Sequence, residues 1–319
     1  MKVRNQQSDI KKEIINQIYK KNINPTKITE IDTKKYINII KEDYLPFISK
    51  IVSNNSLEFY LYDRPDVFIR SNEKINEELT FSKGMKKTIY YCSYFEKGLI
   101  HELGHAVDFW LSIEKALTKT IIVLNNKTFS EIFVEEFNQN CEKILEHILN
   151  EYKKIIEKNL NKKCFEILSL NFYKYQKLRS LKCNKRNKNV LFQRKLIHKD
   201  LYKSGFVEAY YEVVTKKLYK EMNDRFSPLL DALSSKYDFK ESFLDHHELD
   251  YYKEDKYNST YEMFANLFVC KTTYSKTDYE FLNKLLPKTN EAFSKLFDIL
   301  YSKIMKNESF DDCEIRRSE

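Results

Sequence analysis

Four glycines and five prolines in 319 residues leave this chain few places to turn sharply. Long helices tolerate little of either residue. Glycine loosens the backbone, and proline removes an N–H from the helical ladder. The scarcity of both predicts a mostly helical protein. Charged residues make up 32% of the chain and hydrophobic ones 42%, a balance that builds a packed core rather than a disordered coil. The length suffices for one large domain or two small ones.

Apolar spacing predicts where the helices lie. Residues such as Ile10, Ile14, Ile15 and Ile18 recur at three- and four-residue steps, so Asp9 to Tyr19 reads as amphipathic helix. Asn24, Pro25 and Thr26 end it, and a second helix follows over Asp32 to Val52, kinked or divided at Pro46. The β-prone runs Leu57 to Leu61, Val67 to Ile69 and Thr88 to Cys92 predict a small sheet of about three or four strands. From Phe95 the pattern is helical almost to the end. Predicted helices span Phe95 to Ala116, Thr128 to Leu160 as one or two, Val207 to Leu233 with a break at Pro228, and Thr260 to Cys270. The last, Tyr279 to Ile304, is interrupted at Pro287. Lys236 to Asn258 reads as irregular.

The net charge is +8, and the densest basic stretch runs from Lys182 to Lys199. Taken alone it reads as a solvated face rather than a nucleic-acid or anionic-surface site. The six cysteines are scattered with no CxxC or CxC pair, which argues for separate reduced thiols rather than a metal ribbon or a disulfide framework. No apolar run reaches the ~20 residues of a membrane span, and Met1 to Asn24 lacks the apolar stretch of a signal peptide. The expectation is a product cytoplasmic at synthesis; virion association or non-classical export stays open.

One helix carries chemistry. His101-Glu102-Leu103-Gly104-His105 has the form HExxH. Positions i and i+4 share a helical face, so His101 and His105 can aim ring nitrogens at one metal ion. Zinc accepts imidazole at ~2.0–2.1 Å in tetrahedral geometry. Glu102, beside the open position, would take a proton from water and pass it to a leaving amine. Gly104 stands mid-helix, where glycine costs about 1 kcal/mol relative to alanine. A close approach of backbone or substrate would explain it. Asp108 reads as a carboxylate supporting the site rather than as a ligand.

A catalytic zinc of this kind needs a third protein ligand, and the chain lacks the HExxHxxGxxH extension. Glu262 is the first candidate, since it lies near the start of the otherwise apolar helix Ser259 to Phe268, where a carboxylate wants a partner. A glutamate favoured by the helix dipole would look the same. Glu208, Glu212, His246 and His247 are rivals for the place.

HELGHAVD followed much later by an E-x-F-A-x-x-F helix resembles the zincin domain of the anthrax lethal factor type. The second cluster is also similar to metallopeptidase-like regions of some phage minor head proteins and phage-associated toxins. Those order Ser-Asp, Gly-His, Tyr-Trp and EAFANLF; here stand Leu230-Asp231, His246-His247, Tyr251-Tyr252 and Glu262-Met263-Phe264-Ala265-Asn266-Leu267-Phe268. The chain departs from the pattern at Leu230, His246, Tyr252 and Asn266. The resemblance implies His101, His105 and Glu262 as zinc ligands and Glu102 as catalytic base. It implies Tyr257 or Tyr251 as donor to the substrate oxyanion, and His247 as a second donor or an orienting group.

The expected fold is α+β and predominantly helical, a zincin-like catalytic domain with a small sheet, an active-site helix and a large helical insert. Residues 1–55 would form an N-terminal helical region, 56–305 the metallopeptidase domain with its insert at about 119–205, and 306–319 a polar tail. The expected partner is a protein or peptide substrate, bound as an added strand at the sheet edge. Nucleic acid is disfavoured. The alternative is a non-catalytic phage structural or head-associated protein that retains the zincin fold.

Overall fold

The computed structural model describes residues 2–22, 34, 37–55, 57–62, 87–92, 98–110, 116–159, 174, 188–204, 219–237, 249–254, 257–274, 279–311 and 313. Helix dominates. In chain order the elements are α1 (Lys2–Lys20), a 3-10 turn (Glu42–Tyr44), α2 (Leu45–Ser53), β1 (Leu57–Tyr62), β2 (Lys87–Cys92), α3 (Gly98–Asp108) and α4 (Leu117–Thr120). Then come β3 (Ile122–Leu124), β4 (Lys127–Thr128), α5 (Phe129–Asn159), α6 (Lys188–Lys203), α7 (Tyr219–Ser234), α8 (Leu249–Glu254), α9 (Asn258–Thr272), α10 (Tyr279–Leu285) and α11 (Pro287–Lys306). Among the described residues no helix is long and apolar enough to cross a membrane.

The chain clusters into two compact units. One comprises Met1–Phe133, Phe264–Ser275 and Lys288–Glu319; the other comprises Val134–Met263 and Lys276–Pro287. Both divisions at 133 and 263 fall inside continuous helices, α5 and α9.

In the first unit β1 and β2 pair in parallel, Leu57 opposite Lys87 through Tyr62 opposite Cys92. Helix α3 packs on β2, and α1 on α2. A predicted third strand, Val67 to Ile69, lies outside the described residues. The core is aromatic. Phe47, Phe129, Phe264, Phe268 and Phe293 are fully buried, and the rings of Phe129, Phe264 and Phe293 meet edge-on at 5.6–6.5 Å. Edge-on contact suits the ring quadrupoles and adds to the burial of large apolar surface. The later part of α9 is thereby seated in this core. Its last turn is also held from outside: Lys41 Nζ donates to the carbonyls of Lys271 (2.9 Å) and Cys270 (3.3 Å). A cation there satisfies carbonyls that no helical N–H can reach and suits the helix dipole.

The hairpin β3–β4 was not foreseen. Asn125 and Asn126 take φ of 50° and 58°, left-handed values that asparagine accepts, and so reverse the chain in two residues. Thr128 then caps α5 reciprocally with Glu131: its N–H donates to Glu131 Oε2 at 3.0 Å, and the Glu131 N–H donates to Thr128 Oγ1 at 3.4 Å.

In the second unit α7 lies along α5. Arg225 pairs with Glu151 at 3.3 Å, and Lys236 Nζ donates to Asn138 Oδ1 at 3.3 Å. Pro228 sits inside α7 without ending it, contrary to the predicted break. Its neighbours Leu229, Leu230, Ala232 and Leu233 are buried, and that packing outweighs one missing hydrogen bond. Residues 249–254, read from sequence as irregular, form α8. Pro46 and Pro287 stand in the first turns of α2 and α11, where a missing N–H costs nothing. Cys141 and Cys270 are buried, and Cys313 is half-buried.

Candidate metal centre

Helix α3 forms because Leu99, Ile100, Leu103, Ala106 and Val107 supply one apolar face, all of it buried. It stops at Asp108, eight residues short of the predicted end. Asp108, its last residue, is 0% exposed. Its Oδ1 accepts the Thr118 N–H at 2.8 Å, and its Oδ2 accepts the Thr118 hydroxyl at 3.0 Å. Asp108 therefore anchors the start of α4, and it also lies within electrostatic reach of His105. Burial pushes its carboxyl up to about 6, against the two Thr118 hydrogen bonds that pull it down.

His101 and His105 stand one turn apart on α3. Their Nε2 atoms lie 3.1 Å apart, with the rings edge-on at 4.8 Å. Glu262 is on α9 and only 3% exposed. One donor atom from each of His101, His105 and Glu262 lies within 4.8 Å of the others. The group could hold a metal ion. Two nitrogens bound tetrahedrally at ~2.05 Å would stand about 3.3 Å apart, close to the spacing found. Two neutral imidazole nitrogens and a carboxylate oxygen are the donors borderline metals take. The residues present fit a zinc ion.

What brings the helices this close is Gly104. A Cβ placed there would fall 2.9 Å from Ala265 Cα, 3.2 Å from Phe268 Cβ and 3.3 Å from Ala265 Cβ. The mid-helix glycine thus serves an approach of α9 to α3. His101 precedes Gly104 by three residues, and Glu262 precedes Ala265 by three. On each helix the residue of the candidate group shares a face with the close contact.

Glu262 has its own support. The Tyr251 hydroxyl donates to Glu262 Oε1 at 2.8 Å. Tyr251 is on the short helix α8, whose next residue, Tyr252, is buried and donates to Asp231 Oδ1 at 3.4 Å. The two tyrosine rings meet edge-on at 5.1 Å. Burial, then the Asp231 charge, push the Tyr252 phenol well above its usual value, so it stays protonated and donating. The Asn258 side chain, at the start of α9, donates to the Tyr251 carbonyl at 2.6 Å.

Of the residues singled out in the sequence, His101, His105 and Glu262 converge, and Tyr251 touches the group. Glu102 is half-buried and follows His101 directly. Tyr257 is half-buried at the entry to α9, where its carbonyl accepts the Thr260 and Tyr261 N–H groups at 2.8 and 3.1 Å. Glu208, Glu212, His246 and His247 lie outside the described residues. Sequence reasoning missed the Tyr252–Asp231 contact, although both residues stood in the quoted clusters. Nothing in a linear pattern couples positions 231 and 252. Compared with protein-family models, curated proteins and solved structures, the chain matches none.

Proposed function

We propose that this chain is a zinc-dependent endopeptidase with His101, His105 and Glu262 as metal ligands and Glu102 as general base. The observation that carries the reading is the convergence of two imidazoles and one buried carboxylate, with a second carboxylate adjacent in sequence to the first histidine. A zinc ion held there would polarise a scissile carbonyl and lower the pKa of water at its open position.

The chain's own residues supply the rest. Glu102 is only half-buried, so it can meet both substrate and solvent. As base it removes a proton from the attacking water, and as acid it returns that proton to the leaving amine. Tyr251 holds the Glu262 carboxylate by its 2.8 Å hydrogen bond, which fixes the orientation of that ligand. Of the two tyrosines proposed to assist the oxyanion, we assign Tyr251: its hydroxyl lies on the candidate ligand set, and its single proton would turn from Glu262 Oε1 to the oxyanion as charge develops there. The substrate class is a protein or peptide, as for the zincins that the two clusters resemble.

Metal analysis paired with a peptide-library cleavage assay, on wild type and Glu102→Gln, tests the reading. The expected result is one zinc per chain in both proteins, with cleavage by wild type alone. Absence of metal, or stoichiometric iron in place of zinc, overturns the cofactor. Equal cleavage by both proteins overturns the assigned base.

A further inference from the structure

The positive charge of this chain is concentrated. Lys174 to Lys203 contains eleven basic residues and one acidic residue, while the whole chain has a net charge of only +8. The rest of the molecule is therefore slightly acidic on balance. The end of that segment is helix α6, and its described residues show which way the charge faces. Lys195, Lys199 and Lys203 follow one another at four-residue steps, so they form a stripe along one face, and all three are exposed. Leu201, on the opposite side, is 1% exposed and ties the helix to the protein.

A solvated face accounts for the lysines but not for their neighbours. Leu196 flanks the stripe on one side at 48% exposure, and Tyr202 flanks it on the other at 70%. Among the described residues they are two of only three large hydrophobic side chains so exposed. Leucine gains nothing from a nucleic-acid phosphate. At a phospholipid surface a leucine enters the acyl boundary, a tyrosine sits at the headgroups, and lysine stems lie along apolar surface with their ammonium groups on lipid phosphates.

We propose that the outward face of α6, centred on Lys195, Lys199 and Lys203 with Leu196 and Tyr202 at its edges, docks this protein on an anionic phospholipid surface. The docking is peripheral, since no described helix can span a bilayer. It is independent of the metal centre.

Co-sedimentation of the intact protein with vesicles tests it. Vesicles of phosphatidylcholine with about 30% phosphatidylserine should bind the protein, and pure phosphatidylcholine should bind it at least tenfold more weakly. Binding should fall as salt rises. The triple variant Lys195→Glu, Lys199→Glu, Lys203→Glu should lose tenfold or more, and its milder Lys→Gln counterpart should lose less. Leu196→Ser with Tyr202→Ser should weaken vesicle binding with all charges kept. Equal binding to both vesicle types, or wild-type binding by a triple variant that keeps the wild-type melting temperature, overturns the proposal. So does tighter binding to duplex DNA or RNA that is lost in the triple variant and indifferent to Leu196 and Tyr202, which would make the partner a nucleic acid.

Discussion

The Tyr251 hydroxyl donates a 2.8 Å hydrogen bond to Oε1 of Glu262, a carboxylate only 3% exposed. A ligand held by a second hydrogen bond loses less freedom when it binds metal. Tyr251→Phe keeps the ring and removes the donor. It should weaken zinc affinity by about 10–100-fold and cost about 1 kcal/mol of stability in the metal-free protein. Chelator competition measures the first and urea unfolding the second. Unchanged affinity would show that Glu262 needs no help from Tyr251.

Gly104→Ala sets two effects against each other. Alanine gains about 1 kcal/mol of helix propensity at an interior position. Its Cβ would stand 2.9 Å from backbone, at Ala265 Cα, which cannot move aside as a side-chain tip can. Overpacking of this kind costs roughly 1–3 kcal/mol, so the net change should be destabilising. Zinc affinity should fall with it, because the added methyl pushes α3 and α9 apart one turn from the ligands. A more stable variant would sink this account of the glycine.

Asp108 should impose a pH dependence. Burial raises its carboxyl from 3.8 to about 6 in the fold. The fold therefore favours the protonated form. Its contribution is fully present below about pH 4 and is lost as pH rises through about 6. Two pKa steps correspond to about 3 kcal/mol. Asp108→Asn in metal-free protein should flatten the stability profile between pH 4 and 7 by an amount of this order. Guanidinium unfolding across that range, wild type against variant, is the measurement, and parallel profiles would refute the assignment.

Removing metal should lower the melting temperature. A ligand at 100 times its dissociation constant stabilises by about 2.7 kcal/mol, so a chelator should shift the transition by several degrees. Glu262→Ala and His105→Ala should lose the zinc-dependent part of that shift. Calorimetry with and without zinc reads it. A zinc shift that survives both substitutions would place the metal elsewhere.

Much of the site could be read from the sequence because it rests on helical periodicity. His101 and His105 are four apart, and Glu262 interrupts an apolar run, so both helices declared their residues. The ends of elements were harder. Phe109 and Trp110 continue the apolar pattern past Asp108, and no linear pattern shows the contact of Asp108 with Thr118. Pro228 read as a break because a proline's local cost is visible in sequence and the burial of its neighbours is not. The Asn125–Asn126 turn carried a usable cue, two adjacent residues tolerant of positive φ, but the strands beside it are only three and two residues long. Helix α8 was hidden in a charged stretch, and the contacts of Tyr251 and Tyr252 with it.

His105 and Glu262 lie roughly 150 residues apart along the chain. A ribosome adding about 5–20 residues per second needs roughly 8–30 s to travel from one to the other. For that interval the nascent chain presents two histidines without their carboxylate partner. The order of synthesis thus delays assembly of the three-residue group until most of the polypeptide exists, and a chain truncated before Glu262 would never complete it.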